Sequence, residues 1–263
     1  MKKRRAYAAA AFVAVLWSAS VFAKADAPAY NWYFKPNTAH EKPLVVPEAA
    51  NEIAAHDVIY TDPRDEKRLY LTFDAGYENG NVEKIVDTLK EKNAPATFFI
   101  LPEMIKNHTA LVKRMKDEGH LVGNHSTHHR DMTKYSDFDA FSAELGDIAR
   151  LYEDTFGYPM DTFFRPPEGR FSARTLEYAE RCGYRSVFWS LAYADWDNDK
   201  QMPPDKALAL LLSRTHPGAV VLLHPTSATN AAILGDYIDA VRADGYTVCP
   251  LTDFPTRERG GEA

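Results

Sequence analysis

Residues that can move protons or bind a metal follow five separate apolar segments of this chain. They are carboxylates, imidazoles and one guanidinium, the groups with which proteins activate water and protonate a leaving group. The residues lie in five short motifs, which we call the five segments: TFDAG (72–76), GNHSTHH (123–129), RPPEG (165–169), ADW (194–196) and LLHP (222–225). Because a random scatter of polar residues would not follow apolar runs so regularly, the pattern predicts one functional site.

The first and third segments supply a candidate base and its partner. Asp74 stands at the end of an apolar run beside Gly76, where it could deprotonate water. The alternative interpretation is a turn or helix-capping aspartate. Arg165 precedes two prolines that stiffen the backbone, so it could pair with Asp74 and keep the carboxylate ionised. Without that pairing, Arg165 would be an ordinary surface arginine.

The second segment offers a pair of imidazoles. His125 and His129 are four residues apart, so on a helical turn they would share a face and could both bind a metal. The presence of His128 allows the alternative that all three are surface histidines. A predicted carboxylate near this segment favours the metal site.

The last two segments supply a candidate acid and aromatic rings. His224 ends an apolar run and is either a core residue or a general acid whose pKa Asp195 would raise. Trp196 and Tyr193 could stack on a sugar ring or fill the core. The backbone N–H of Tyr77 could stabilise an oxyanion. Trp189 falls within an apolar run and is interpreted as core.

The spacing of apolar residues predicts an α/β fold. Seven short runs are apolar on both faces, as buried parallel strands are: 69–73, 96–100, 121–123, 162–164, 186–191, 219–223 and 247–251. Helical periodicity separates them. The alternation favours a closed or nearly closed barrel of about seven parallel strands, with an open doubly wound sheet as the alternative. In either fold the site lies at the carboxyl ends of the strands.

The segments outside this region suggest export and an N-terminal extension. Residues 1–25 combine a basic cluster with an apolar run and a small-residue cleavage site, which predicts a secretory signal or, if uncleaved, a membrane anchor. Either one places the protein outside the cytoplasm. Residues 26–67 are interrupted by prolines and predict an extension that wraps the catalytic domain, 68–255, and docks through Trp32, Tyr33 and Phe34. Residues 256–263 form a tail.

Composition excludes several classes of protein. The 263 residues are 45% apolar and 26% charged, which indicates a globular protein. The net charge of −6 becomes −11 once the five basic residues of 1–25 are removed, so we expect no nucleic-acid partner. Two cysteines, Cys182 and Cys249, exclude a disulfide framework and a thiolate zinc cluster. We expect a monomer.

The five segments together resemble the motifs of the polysaccharide deacetylases, the NodB-homology domains of carbohydrate esterase family 4. That resemblance implies a distorted (β/α) barrel that removes acetyl groups from polysaccharides. It also implies Asp74 as base, Arg165 as its holder, Asp195 and His224 as the acid pair, and Trp196 beside the acetyl group. His125 and His129 would bind a divalent metal, usually zinc. Most family members have a second aspartate where this chain has Ala75, which implies a weakened metal site.

The longer segments TFDAGYENG, GNHSTHH, RPPEGRFS and VFWSLAYADW are similar to those of the delta-lactam-biosynthetic de-N-acetylases. This subgroup implies removal of acetyl from N-acetylmuramic acid in peptide-stripped peptidoglycan strands, which permits formation of the muramic delta-lactam of spore cortex. Three alternatives stay open: a deacetylase of another glycan, such as chitin or the N-acetylglucosamine of peptidoglycan; a glycan-binding pseudoenzyme; and a glycosidase that uses Asp74 with Asp195.

Overall fold

The structure, a computed structural model, describes residues 28–256. The predicted signal or anchor at 1–25 and most of the predicted tail at 256–263 lie outside the described residues. Within 28–256, no helix is both long and apolar enough to cross a membrane.

Twelve strands and eight α-helices make up the described chain. The strands are β1 Tyr30–Asn31, β2 Phe34–Lys35, β3 Leu44–Val45, β4 Val58–Ile59, β5 Arg68–Ala75, β6 Ala96–Ile100, β7 Leu121–Asn124, β8 Phe163–Phe164, β9 Arg170–Phe171, β10 Arg185–Val187, β11 Ala219–Leu223 and β12 Thr247–Val248. The helices are α1 Ala50–Ala55, α2 Val82–Glu91, α3 Pro102–Asn107, α4 Thr109–Asp117, α5 Phe138–Phe156, α6 Ala173–Arg181, α7 Pro204–Arg214 and α8 Ala228–Ala243.

Seven parallel strands form a nearly closed barrel flanked by helices. Their order is β11-β5-β6-β7-β8-β10-β4, and β12 also pairs with β5. Just past β10, Leu191 forms a single parallel bridge to Val221 of β11, which brings the two sides of the sheet together. From β5 to β11, helices connect successive strands of the barrel, as parallel pairing of neighbours requires. The predicted α/β barrel is confirmed.

Alternation along β5 separates the catalytic face from the helix-packing face. Leu71 and Phe73 pack in the large apolar cluster that includes residues of α2 and α8. Tyr70 instead packs with side chains of other barrel strands. Because side chains of a strand alternate, Thr72 and Asp74 share the face of Tyr70. A two-residue period in one strand therefore points Asp74 toward the inside of the barrel.

Two strands of the main sheet are much shorter than predicted, and one strand of that sheet was missed. The predicted run 186–191 pairs as β10 only to Val187, because the carbonyl groups of Val187 and Phe188 accept hydrogen bonds from Arg165. The run 247–251 ends at Val248, and a 3-10 turn follows it. The missed strand, β4, pairs with β10, but two residues are too short to show a period.

The segment before β5 packs on the outside of the barrel. β1 pairs with β9, and β2 pairs with β3. Trp32 lies in an apolar cluster with Phe171 and Phe188. The domain boundary at residue 68 stays a prediction, since β4 belongs to the predicted extension 26–67 and also forms the edge of the main sheet.

Gly218 joins this segment to the barrel at a point where no side chain fits. Its φ is +77°, and a Cβ atom there would lie 2.6 Å from the Asp62 carbonyl oxygen. The Asp62 N–H also donates to the Gly218 carbonyl at 2.9 Å. The backbones of the two segments can approach this closely only at a glycine.

We predict that Gly218→Ala lowers the free energy of unfolding by about 3 kcal/mol, because it adds a steric clash to the cost of a left-handed conformation. The matched control is Gly80→Ala, where φ is +89° but no atom lies within 4 Å. That variant should lose only about 1 kcal/mol in urea unfolding. Equal losses for the two variants would show that the close approach to Asp62 does not matter.

Candidate active site

A buried ion pair lies at the centre of the predicted site. The Arg165 guanidinium is fully buried and donates from Nη1 to Asp74 Oδ1 at 2.7 Å. Its Nη2 donates to Thr72 Oγ1 at 2.7 Å, and the guanidinium carbon lies 4.3 Å from the centre of the Phe99 ring. Arg165 directly follows β8, and Asp74 lies near the end of β5. The barrel thus joins two groups that are 91 residues apart in sequence.

The surroundings of Asp74 keep it ionised. Burial by itself would raise the pKa of Asp74, but the positive charge and hydrogen bond of Arg165, together with the charge of His224, lower it below its usual value. The Oδ1 atom is occupied by Arg165, while Oδ2 lies 3.6 Å from His125 Nε2. Asp74 therefore has an ionised oxygen available to accept a proton.

His125 and His129 lie together, but not on a helical turn as the sequence analysis supposed. They belong to a loop after β7 in which Ser126 and His129 have φ values of +69° and +51°. The Ser126 hydroxyl accepts a hydrogen bond from the His129 N–H, which stabilises this backbone. The two imidazole centres are 4.9 Å apart. The loop thus brings the two rings together without helical geometry.

His125 presents a free nitrogen lone pair. Its Nδ1 donates to the Arg165 carbonyl at 2.9 Å, so Nε2 is the unprotonated nitrogen of the neutral ring. Burial lowers the pKa of His125 to about 4, so the ring is neutral at physiological pH. A neutral imidazole fixed through its other nitrogen is the form that binds metals.

The donor set fits a divalent metal held by two imidazoles. Ala75 is fully buried in the apolar core and supplies no ligand atom. Within residues 28–256, no group of three or more His, Cys, Asp or Glu side chains is arranged to hold a metal ion. His125 and His129 would therefore bind the metal with fewer protein ligands than the three typical of catalytic zinc sites.

The predicted acid pair is present in full. His224 Nδ1 donates to Asp195 Oδ1 at 2.8 Å, and the His224 backbone N–H donates to Asp195 Oδ2 at 2.8 Å. Although burial would lower the pKa of His224, its hydrogen bond and charge interaction with Asp195 raise it above the usual value. The outward-facing Nε2 can therefore carry a proton near neutral pH.

Asn230 completes this pair and was missed by the sequence analysis. It is fully buried, and its Nδ2 donates to Asp195 Oδ2 at 2.6 Å and to the His224 carbonyl at 3.0 Å. Tyr193 is 8% exposed, and its hydroxyl donates to Asn230 Oδ1. Tyr193 thus lies behind the acid pair and does not line the cavity. No local pattern in the sequence signals Asn230, because it is one of several polar residues in α8.

One cavity of about 680 Å³ connects these groups. Asp74, His125, His129 and His224 line it, together with Tyr77 and Trp196. The cavity is also lined by residues that were not predicted to contact a ligand: Leu101, Glu168, Gly169, Trp189, Leu222 and Thr226. Trp189 packs against the apolar cluster of Trp32, as its interpretation as core predicts, but it also lines the cavity, because β10 ends two residues earlier.

The mouth of the cavity carries two exposed aromatic rings. Trp196 is 63% exposed and Tyr77 is 47% exposed. Asn198 Nδ2 donates to the Tyr77 hydroxyl at 2.7 Å and ties together the two loops that carry the rings. Exposed aromatic rings beside a polar cleft suit stacking on the apolar face of a sugar.

Comparison with known proteins adds independent findings. A family model described as polysaccharide deacetylase matches residues 61–187. The chain is 38% identical over 224 residues to peptidoglycan-N-acetylmuramic acid deacetylase PdaA of Bacillus subtilis, covering 85% of each chain. The PdaA structure, described as a family 4 carbohydrate esterase, superimposes with a TM-score of 0.82 over 86% of this chain and 96% of that chain.

Two more distant relatives have different functions. Peptidoglycan-N-acetylglucosamine deacetylase PgdA of Listeria monocytogenes is 33% identical over 191 residues, which are 73% of this chain and 39% of PgdA. A family 4 carbohydrate esterase pseudoenzyme of Bacillus anthracis matches with a TM-score of 0.68 and 27% identity, covering 75% of this chain and 68% of that chain.

The raised pKa of His224 predicts the pH dependence of catalysis. The acid must be protonated, so activity should fall as pH rises through a pKa above the ordinary value of about 6.5. Asp195→Asn removes the charge that raises this pKa, so we expect the alkaline limb of the pH–rate profile to move down by about one unit. Asp199→Asn, an exposed carboxylate of the same loop, is the control. An unmoved alkaline limb in Asp195→Asn would contradict the acid role of His224.

Proposed function

The chain belongs to the polysaccharide deacetylase family, and on this premise we propose that it removes the N-acetyl group from N-acetylmuramic acid in peptide-stripped peptidoglycan. The similarity to PdaA over 85% of both chains supports this substrate. We also propose that the product is the precursor of muramic delta-lactam in spore cortex and that the protein acts outside the cytoplasm.

The observation that carries this proposal is the combination of a base and an acid in one cavity. Asp74 is held ionised by Arg165, and His224 is held protonated by Asp195. Both side chains line the same cavity. Two groups whose surroundings move their pKa values in opposite directions are suited to act as base and acid in one hydrolysis.

We assign each step of the hydrolysis to a residue of this chain. Asp74 Oδ2 accepts a proton from a water molecule, which attacks the acetamide carbonyl carbon. The backbone N–H of Tyr77 donates to the oxyanion that forms. His224 Nε2 then gives its proton to the nitrogen of the breaking C–N bond. Acetate and the free amine of the sugar are released, Asp74 returns its proton to solvent, and His224 takes up a proton from solvent.

The metal proposed for this site is zinc, with His125 and His129 as its protein ligands. Family members generally depend on a divalent metal. A bound divalent ion lowers the pKa of a coordinated water and polarises a carbonyl oxygen. The neutral ring of His125 supports this assignment. Ala75, in the position of the usual second aspartate, makes weak binding the expectation.

A glycan-binding pseudoenzyme is the second candidate. The family includes one, as the Bacillus anthracis relative shows, and the arrangement lacks a third protein ligand within the described residues. The complete pairs Asp74–Arg165 and Asp195–His224 favour catalysis, because binding a neutral acetamide does not require a buried base and a protonated acid.

The test of the function uses peptide-stripped peptidoglycan strands and, separately, chitin oligomers, each with and without added zinc. We expect mass spectrometry to show acetyl loss from muramic acid alone. Acetyl loss from chitin or from N-acetylglucosamine residues would retain the family and reject the substrate. Binding of strands without acetate release would support the pseudoenzyme.

In the same assay Asp74→Asn should lower the turnover rate by about 1000-fold or more, because it removes the proton acceptor. Its thermal midpoint should also fall, because asparagine leaves the buried Arg165 charge without a counter-ion, so both proteins are assayed well below their midpoints. Near-full activity in this variant would remove Asp74 from the mechanism.

The three histidines of the GNHSTHH segment provide a matched metal test. We expect His125→Ala and His129→Ala each to weaken zinc binding, measured by calorimetry, by about 10-fold or more. His128 instead donates from Nδ1 to Glu144 Oε1 at 2.8 Å, so His128→Ala should leave zinc affinity within about threefold. Equal losses in all three variants would contradict the assigned ligands.

A further inference from the structure

Trp32, in the segment before the barrel, makes directional contacts with two segments of the site. Its indole Nε1–H donates to the Trp189 carbonyl at 2.8 Å, and its backbone N–H donates to the Gly169 carbonyl at 2.8 Å. Its ring stacks on Phe188 at 4.2 Å between centres, with 19° between the planes. The side chain is only 6% exposed. Trp32 therefore ties the Pro167–Gly169 turn to the segment that follows β10.

The segment that Trp32 holds is the one that orients Arg165. At the end of β10 and just after it, the carbonyl groups of three consecutive residues each accept a side-chain hydrogen bond. The Val187 carbonyl accepts from Arg165 Nε at 3.2 Å, and the Phe188 carbonyl accepts from Arg165 Nη2 at 3.3 Å. The third, that of Trp189, accepts from Trp32. The hydrogen bond from Trp32 thus fixes the peptide chain directly beside the acceptors of the buried guanidinium.

The other segment that Trp32 holds forms part of the cavity wall. Gly169 lines the cavity with φ of +65°, and Glu168 before it has φ of +56°. A Cβ atom at Gly169 would lie 2.8 Å from both Trp189 Cη2 and Trp32 Cβ. The left-handed conformation is unfavourable for the non-glycine residue Glu168 unless surrounding contacts impose it. The hydrogen bond from the Trp32 N–H to the Gly169 carbonyl and the packing of Trp32 Cβ against Gly169 supply such contacts.

We propose that Trp32 is a positioning residue for the deacetylation site: it holds the Val187–Phe188 carbonyl groups, which orient Arg165, and Arg165 in turn orients Asp74. This inference rests on the roles proposed above for Arg165 and Asp74. By this proposal the N-terminal segment supports the active site, although it lies before residues 61–187, which the family model matches.

The test compares full-length wild-type protein with Trp32→Phe, which keeps an aromatic ring for Phe188 but removes the indole N–H. We expect kcat for acetate release to fall about 10- to 100-fold, because small displacements of catalytic groups are costly, while KM changes less than about threefold. Tyr33→Phe is the control, since the exposed Tyr33 hydroxyl bonds only to Glu48 and its loss should leave kcat unchanged. Unchanged kcat in Trp32→Phe would overturn the proposal.

A packing control separates positioning from stability. Leu176 is buried in the same apolar cluster as Trp32, so Leu176→Ala should lower Tm at least as much as Trp32→Phe does. Assayed well below both Tm values, Leu176→Ala should retain kcat within about threefold. If kcat falls in parallel with Tm in both variants, Trp32 has a structural role only and the proposal is wrong.

A double-mutant cycle tests the route through Arg165. Arg165→Lys removes the planar set of donors that bonds to the two carbonyl groups. Adding Trp32→Phe to Arg165→Lys should therefore lower kcat little further. If the two substitutions lower kcat independently of each other, Trp32 does not act through Arg165. Full activity in Arg165→Lys would refute the proposed role of Arg165 itself. An impaired Arg165→Lys beside a fully active Trp32→Phe would refute only the positioning role of Trp32.

Discussion

The burial of one positive charge, that of Arg165, constrains the rest of the site. A guanidinium without water must find a counter-ion and acceptors for its remaining donors, because an unpaired buried charge is very costly. Asp74 supplies the counter-ion, and Thr72 and the carbonyl groups of Val187 and Phe188 supply acceptors. This requirement accounts for the short β10, since carbonyl groups given to Arg165 are withdrawn from the strand ladder. The same arrangement places an ionised carboxylate in a cavity wall.

The protonation states of the site follow from which charges surround each group. Asp74 faces positive charge and has a lowered pKa, whereas His224 faces the carboxylate of Asp195 and has a raised pKa. His125 is buried without a full counter-charge of its own and becomes neutral. One cavity thus holds an ionised carboxylate, an imidazole with a raised pKa and a neutral imidazole. These are the states that the proposed hydrolysis would use.

The candidate site extends well beyond the part of the chain that the family model matches. That match ends at residue 187, yet Asp195, His224 and Asn230 form a hydrogen-bonded cluster beside the cavity. On the other side, Trp32 contacts both the Gly169 turn and the carbonyl of Trp189. The barrel joins these distant segments because the carboxyl ends of all its parallel strands meet at one edge. Ala75 supplies no ligand atom for the proposed metal, whereas the pairs Asp74–Arg165 and Asp195–His224 are both formed.

The sequence by itself determined the barrel and the end of it at which the polar groups collect. Strand periodicity and the polar residues after each strand are local properties, so the chain alone could predict that Asp74, Arg165, Asp195 and His224 lie at the carboxyl ends of the strands. Only the tertiary structure decided that Tyr193 lies behind the acid pair, that Trp189 lines the cavity, and that His125 and His129 meet in a loop. It also revealed Asn230 and Trp32. The roles of these residues depend on hydrogen bonds to segments far away in sequence, and no local pattern specifies where such a side chain points.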